Sequence, residues 1–142
     1  MVALFASNAS ALPCSNFSGT YALKDDDDTS VVRFFQDECK QLAIVYDTDP
    51  SGKKTYLSDG VFRQLDPEDS GIIEKMKLEG ETLVFETVVM WPTSAEEPSL
   101  EMMSIHSKIT QDGQKNLVIE ATIYDKNGDE TGWSRSVARR VP

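Results

Sequence analysis

Hydrophobic and polar residues alternate in short segments along most of this chain, and turn residues close each segment. No helical period of useful length interrupts them. That pattern predicts an all-β chain. The expected strands are Phe17–Leu23, Val31–Gln36, Leu42–Asp47, Thr55–Ser58, Val61–Leu65, Ile72–Glu79, Thr82–Met90, Leu100–Thr110, Asn116–Tyr124 and Thr131–Arg140. The two short segments on either side of Asp59-Gly60 can merge. About eight to ten strands are enough to close a barrel and remove exposed edges. A short helix fits only near Asp37–Leu42 or Asp66–Ser70.

The turns set the topology. Asn127-Gly128 is a strong hairpin signal because both residues tolerate positive φ. Asp49-Pro50-Ser51-Gly52, Gly80-Glu81 and Asp112-Gly113 are further turns. Nearly every connection is then a hairpin, so the expected topology is an antiparallel up-and-down meander closing first strand to last.

Register follows from the turns. With Asp25–Asp28 as a hairpin loop, Lys24 faces Thr29, Tyr21 faces Val32, Gly19 faces Phe34 and Phe17 faces Gln36. The same register sets Cys14 opposite Cys39. Across Gly80, Leu78 meets Leu83, Met76 meets Phe85, Ile72 meets Val89, and Glu74 meets Thr87. A slip of one residue would destroy this agreement. Around Asn127-Gly128, Leu117 meets Ala138 and Ile119 meets Ser136. Arg140 then shares the inward side with Tyr21, unless a bulge near Gly132 exchanges it with Arg139.

The opposed cysteines favour a disulfide between Cys14 and Cys39 over two separate buried thiols. A bridge and an even cysteine count fit an oxidising compartment. Residues 1–11 are apolar and small, and Ala9-Ser10-Ala11 suits a signal-peptidase cut. They read as the remnant of an export signal, or as a late start or appended sequence. Residues 12–142 read as one domain. The expected location is secreted or extracytoplasmic.

Composition narrows the function classes. The chain has 142 residues, 24 acidic and 14 basic, for a net charge of −10. That field repels nucleic acid and anionic lipid and attracts cationic partners. No apolar run is long enough for a membrane span.

The segment Asn16-Phe17-Ser18-Gly19-Thr20-Tyr21 resembles the opening strand of lipocalins and fatty-acid-binding proteins, with Tyr21 where that pattern usually has Trp. The family resemblance implies a calycin-like β-barrel. It also implies a basic residue from the last strand lying across the aromatic ring, a role open to Arg139 or Arg140 at the end of Trp133–Arg140.

Candidate chemistry is sparse. His106 is the single histidine, so no second one completes a metal set. It is the one candidate base for a serine triad, but no Gly-x-Ser-x-Gly elbow accompanies it. The acidic run Asp25–Asp28 and the segment Asp125-Lys126-Asn127-Gly128-Asp129, which superficially resembles the start of a calcium loop, read as hairpin tips. The sequence points to no catalytic residue, metal or cofactor. The leading expectation is a binding protein for a small apolar or amphipathic molecule. Tyr21, Phe34, Met76, Phe85 and Ile105 would line the barrel, with Arg140 near its floor. The alternative is an acidic module or inhibitor for a cationic protein, contacted through Trp91, Glu96 and Glu97.

Overall fold

A computed structural model describes residues 14–25, 27–93, 96 and 99–142 of the chain. It contains nine strands: β1 (Gly19–Asp25), β2 (Asp28–Asp37), β3 (Gln41–Tyr46), β4 (Asp49–Leu57), β5 (Ile72–Glu79), β6 (Thr82–Pro92), β7 (Leu100–Gln111), β8 (Leu117–Tyr124) and β9 (Glu130–Val141). All pair antiparallel in one sheet of order β4-β3-β2-β1-β9-β8-β7-β6-β5. Apart from the β1–β9 pairing, neighbours in space are neighbours in sequence, which is the expected meander. No described helix is long and apolar enough to cross a membrane.

The registers read from the turns hold. Lys24 pairs with Thr29, Tyr21 with Val32 and Gly19 with Phe34. Ile72 pairs with Val89, Glu74 with Thr87, Met76 with Phe85 and Leu78 with Leu83. Leu117 pairs with Ala138 and Ile119 with Ser136. The β8–β9 ladder does carry an irregularity, between Ile123 and Tyr124. Its turn compensates. The Gly128 amide bonds to the Asp125 carbonyl, and Gly128 takes φ +83°. That adds one residue at the tip, and the bulge returns the strands to the expected register.

Cys14 and Cys39 form a disulfide with a Cα–Cα distance of 6.0 Å. It ties the segment before β1 to the β2–β3 turn. The same segment bridges to Gly80, whose carbonyl accepts from the Ser15 amide at 2.7 Å. Phe17 is thereby drawn wholly inside, where it joins Tyr21, Leu42, Met76, Leu83 and Leu117 as the most buried side chains. These residues close one end of the molecule with apolar surface that water cannot reach.

Four local expectations are corrected. Val61–Leu65 is not a strand. The Asp59 carboxylate accepts from the Val61 amide and the Arg63 guanidinium, and Gly60 takes φ +69°. These local bonds compete with a ladder, and only Arg63 pairs, with Glu74. Neither proposed helix forms. Residues 38–40 are a tight turn between the paired ends Asp37 and Gln41, and Asp66 and Asp69 accept from the amides of Glu68 and Gly71. Asp49–Gly52 lies within β4, not in a turn. Tyr46 already pairs with Asp49, and Pro50 is tolerated because β4 is an edge strand. Finally, Asp25 pairs with Asp28, so the first hairpin loop is shorter than expected.

The first strand does meet the last: Thr20 pairs with Val141, Tyr21 with Arg140 and Ala22 with Arg139. The ends of the sheet are instead β4 and β5, and no ladder joins them among the described residues. They are separated by residues 58–71, too long a connection to act as a hairpin turn. Part of that connection takes β5's outer edge for itself. Gly60 donates to the Met76 carbonyl at 3.1 Å, and Arg63 and Glu74 exchange two bonds of 2.9 Å. The Ser58 hydroxyl accepts from the Leu78 amide at 2.7 Å.

Candidate ligand-binding cavity

On the inner side of this curved sheet lies a cavity of about 230 Å³. It sits beyond the apolar plug formed by Phe17 and Tyr21. Alternation along each strand supplies its walls, because residues two apart point to the same side. Val32 and Phe34 come from β2, Ile109 from β7, and Leu117 and Ile119 from β8. Tyr21 and Phe34 meet edge to face at 5.5 Å, and Tyr56 and Phe85 at 4.9 Å.

Most of the lining is apolar, but one side is not. Glu74 projects from β5 with its side chain only 11% exposed. It occupies the same face of β5 as Ile72, Met76 and Leu78. Its Oε1 accepts from the Tyr56 hydroxyl and from the Thr87 hydroxyl, both at 3.3 Å. Its Oε2 accepts from Lys54 Nζ at 3.2 Å. A carboxylate removed from water needs such donors to offset its lost hydration. Two of the donors, Lys54 and Tyr56, lie on β4, so the cluster also spans the two ends of the sheet.

Burial, followed by the charge of Glu74, holds the Tyr56 hydroxyl protonated far above the ordinary phenol range. That keeps the Tyr56 hydroxyl a donor to Glu74. Every buried side-chain nitrogen and oxygen among the described residues has a hydrogen-bond partner.

The structure separates the residues singled out from the sequence. Phe34 and Phe85 line the cavity. Tyr21 and Met76 are buried in the closed end beneath it. Ile105 pairs with Thr87 but lies outside the lining. Arg140 sits at the closed end, outside the cavity, with its guanidinium 5.8 Å from the Tyr21 ring centroid. Sequence reasoning passed over Glu74, Tyr56 and Thr87 as site residues. A signal was present: the register that set Met76 against Phe85 put a matched polar pair, Glu74 and Thr87, on an otherwise apolar face.

The remaining candidates lie apart from the cavity. His106 points outward, with Nε2 3.3 Å from Glu86 Oε1 and its ring against Tyr124. Trp91 is exposed near the end of β6, opposite Glu101, and Glu96 is exposed beyond it. Glu97 and residues 1–11 lie outside the described residues. Asp125 is engaged with its own turn, accepting from the amides of Asn127 and Asp129. Among the described residues no three metal-ligating side chains converge.

Compared with known proteins, the chain matches no family model, no curated protein and no solved structure. The functional reading therefore rests on this geometry.

Proposed function

We propose that this is a lipocalin-like, secreted binding protein that holds a small amphipathic molecule in the cavity. The observation that carries the reading is the pairing of apolar walls with one confined polar cluster around Glu74. Ligand sites are built this way: apolar area supplies affinity and a few placed polar groups fix orientation. The volume is small beside the roughly 300–1,000 Å³ of drug-sized sites, which favours a compact ligand over a long acyl chain. In this reading β4 and β5 complete a barrel through the Lys54–Glu74–Tyr56 contacts in place of a ladder. The Cys14–Cys39 bond supports the extracytoplasmic location, since oxidising compartments preserve such bonds.

The test is ligand-observed NMR with compact aromatic and aliphatic fragments, run on the native protein and on Ser107→Phe. Ser107 lines the cavity from β7, so a phenyl group there fills the space. Fragment binding that the substitution abolishes supports the reading. Absence of binding, or binding indifferent to Ser107→Phe, overturns it.

A further inference from the structure

We infer that the ligand is an organic cation, a compact amine whose ammonium group binds the Glu74 carboxylate. The inference rests on the binding reading above and names its ligand class. Among the described residues that line the cavity there is one carboxylate and no lysine, arginine or histidine. An anionic ligand would meet Glu74 at short range and a net charge of −10 at long range. A cation is favoured by both.

The hydrogen-bond geometry leaves room for that cation. A carboxylate offers about four acceptor positions. Among the described residues, Glu74 Oε1 already takes the Tyr56 and Thr87 hydroxyls, whereas Oε2 takes Lys54 alone. Oε2 is therefore the oxygen that can accept a further N–H. Phe34, Tyr56 and Phe85 surround the space with aromatic rings, and ring faces attract an ammonium group.

Lys54 has a defined part in this. It is not among the lining residues, and its side chain is 38% exposed against 11% for Glu74. It can release its ammonium group to water at little cost, because exposed lysines keep their hydration. Glu74 cannot leave the interior. Lys54 thus serves as a resident counter-ion that a bound amine shares or displaces. Ligand and lysine compete for one carboxylate, so removing the lysine should strengthen amine binding.

Calorimetric titration with 2-phenylethylamine and its neutral analogue 2-phenylethanol tests the inference. The two probes have the same shape and differ in charge. The native protein should bind the amine at least about tenfold more tightly than the alcohol, the gap expected of one charge-assisted hydrogen bond. Lys54→Met should raise amine affinity severalfold and leave alcohol affinity unchanged. Glu74→Gln should erase the preference. If Glu74→Gln does not fold, the native comparison and Lys54→Met decide the matter. Equal binding of both probes overturns the cation assignment and leaves the cavity reading standing. Failure of both probes to bind, with no fragment binding either, removes the two together. Amine binding weakened by Lys54→Met would show that the lysine belongs to the site and overturn the competition.

Discussion

Arg140 and Tyr21 are direct cross-strand partners, and the arginine lays its guanidinium over the tyrosine ring at 5.8 Å from the centroid. Gly19 makes this possible. A Cβ at position 19 would stand 3.1 Å from the guanidinium carbon. The ring is fixed from the other side, since the Tyr21 hydroxyl donates to the Phe17 carbonyl at 2.8 Å. First strand, last strand and the segment before β1 therefore converge on one aromatic side chain.

Arg140→Ala should destabilise the protein by about 1–2 kcal/mol, combining cation–π and packing losses. Arg139 is exposed like Arg140 but faces Ala22 rather than an aromatic ring, and should cost less than about 0.5 kcal/mol when replaced by Ala. Gly19→Ala should also destabilise, because Gly19 takes φ +155° and the added methyl group would press on the guanidinium. Urea unfolding of the three variants checks this. Equal, negligible effects at Arg139 and Arg140 would mean that the stacked pair contributes nothing.

Phe17 is completely buried, and its amide donates to Gln36 Oε1 at 2.8 Å. Phe17→Ala should cost about 3–5 kcal/mol through lost burial and the cavity left behind. Phe17→Leu should cost far less. A small loss for Phe17→Ala in thermal or chemical unfolding would show that the segment before β1 does not plug the sheet.

No free thiol should react when the unreduced protein is denatured, because Cys14 and Cys39 are bonded to each other. Reduction should lower stability by about 3 kcal/mol, the order expected for a loop of this length. The loss should be matched by Cys14→Ser with Cys39→Ser. Two titratable thiols in the unreduced chain would contradict the bond.

Asp59 carries a pH prediction. The Arg63 guanidinium that hydrogen-bonds it, assisted by the Val61 amide, lowers its pKa from the usual 3.8 to about 2. A depressed carboxyl pKa stabilises the folded state above the unfolded value. That contribution is complete above about pH 4 and disappears as pH falls through about 2. Carboxyl-carbon NMR should place the Asp59 midpoint near the lower value, and Arg63→Ala should return it toward 3.8. A midpoint near 3.8 in the native protein would show that the Asp59–Arg63 pair does not form.

Local chemistry written in the sequence determined most of the fold. Period-two alternation made the strands, Asn127-Gly128 and Gly80-Glu81 made hairpins, and turn position plus apolar matching set the registers, including the opposition of Cys14 and Cys39. These are short-range properties, so a single chain contains them. Tertiary structure decided what depends on distant segments meeting. Residues 58–63 took the edge of β5, and β4 and β5 share no ladder among the described residues. That outcome turned on local bonds at Asp59 competing with sheet pairing. It also brought Lys54 and Tyr56 to Glu74 across the unpaired ends of the sheet. The alternation of β5 put Glu74 on the inner face. Only the curvature of the whole sheet made that face a cavity, and only the donors from β4 and β6 made the interior tolerable for a carboxylate.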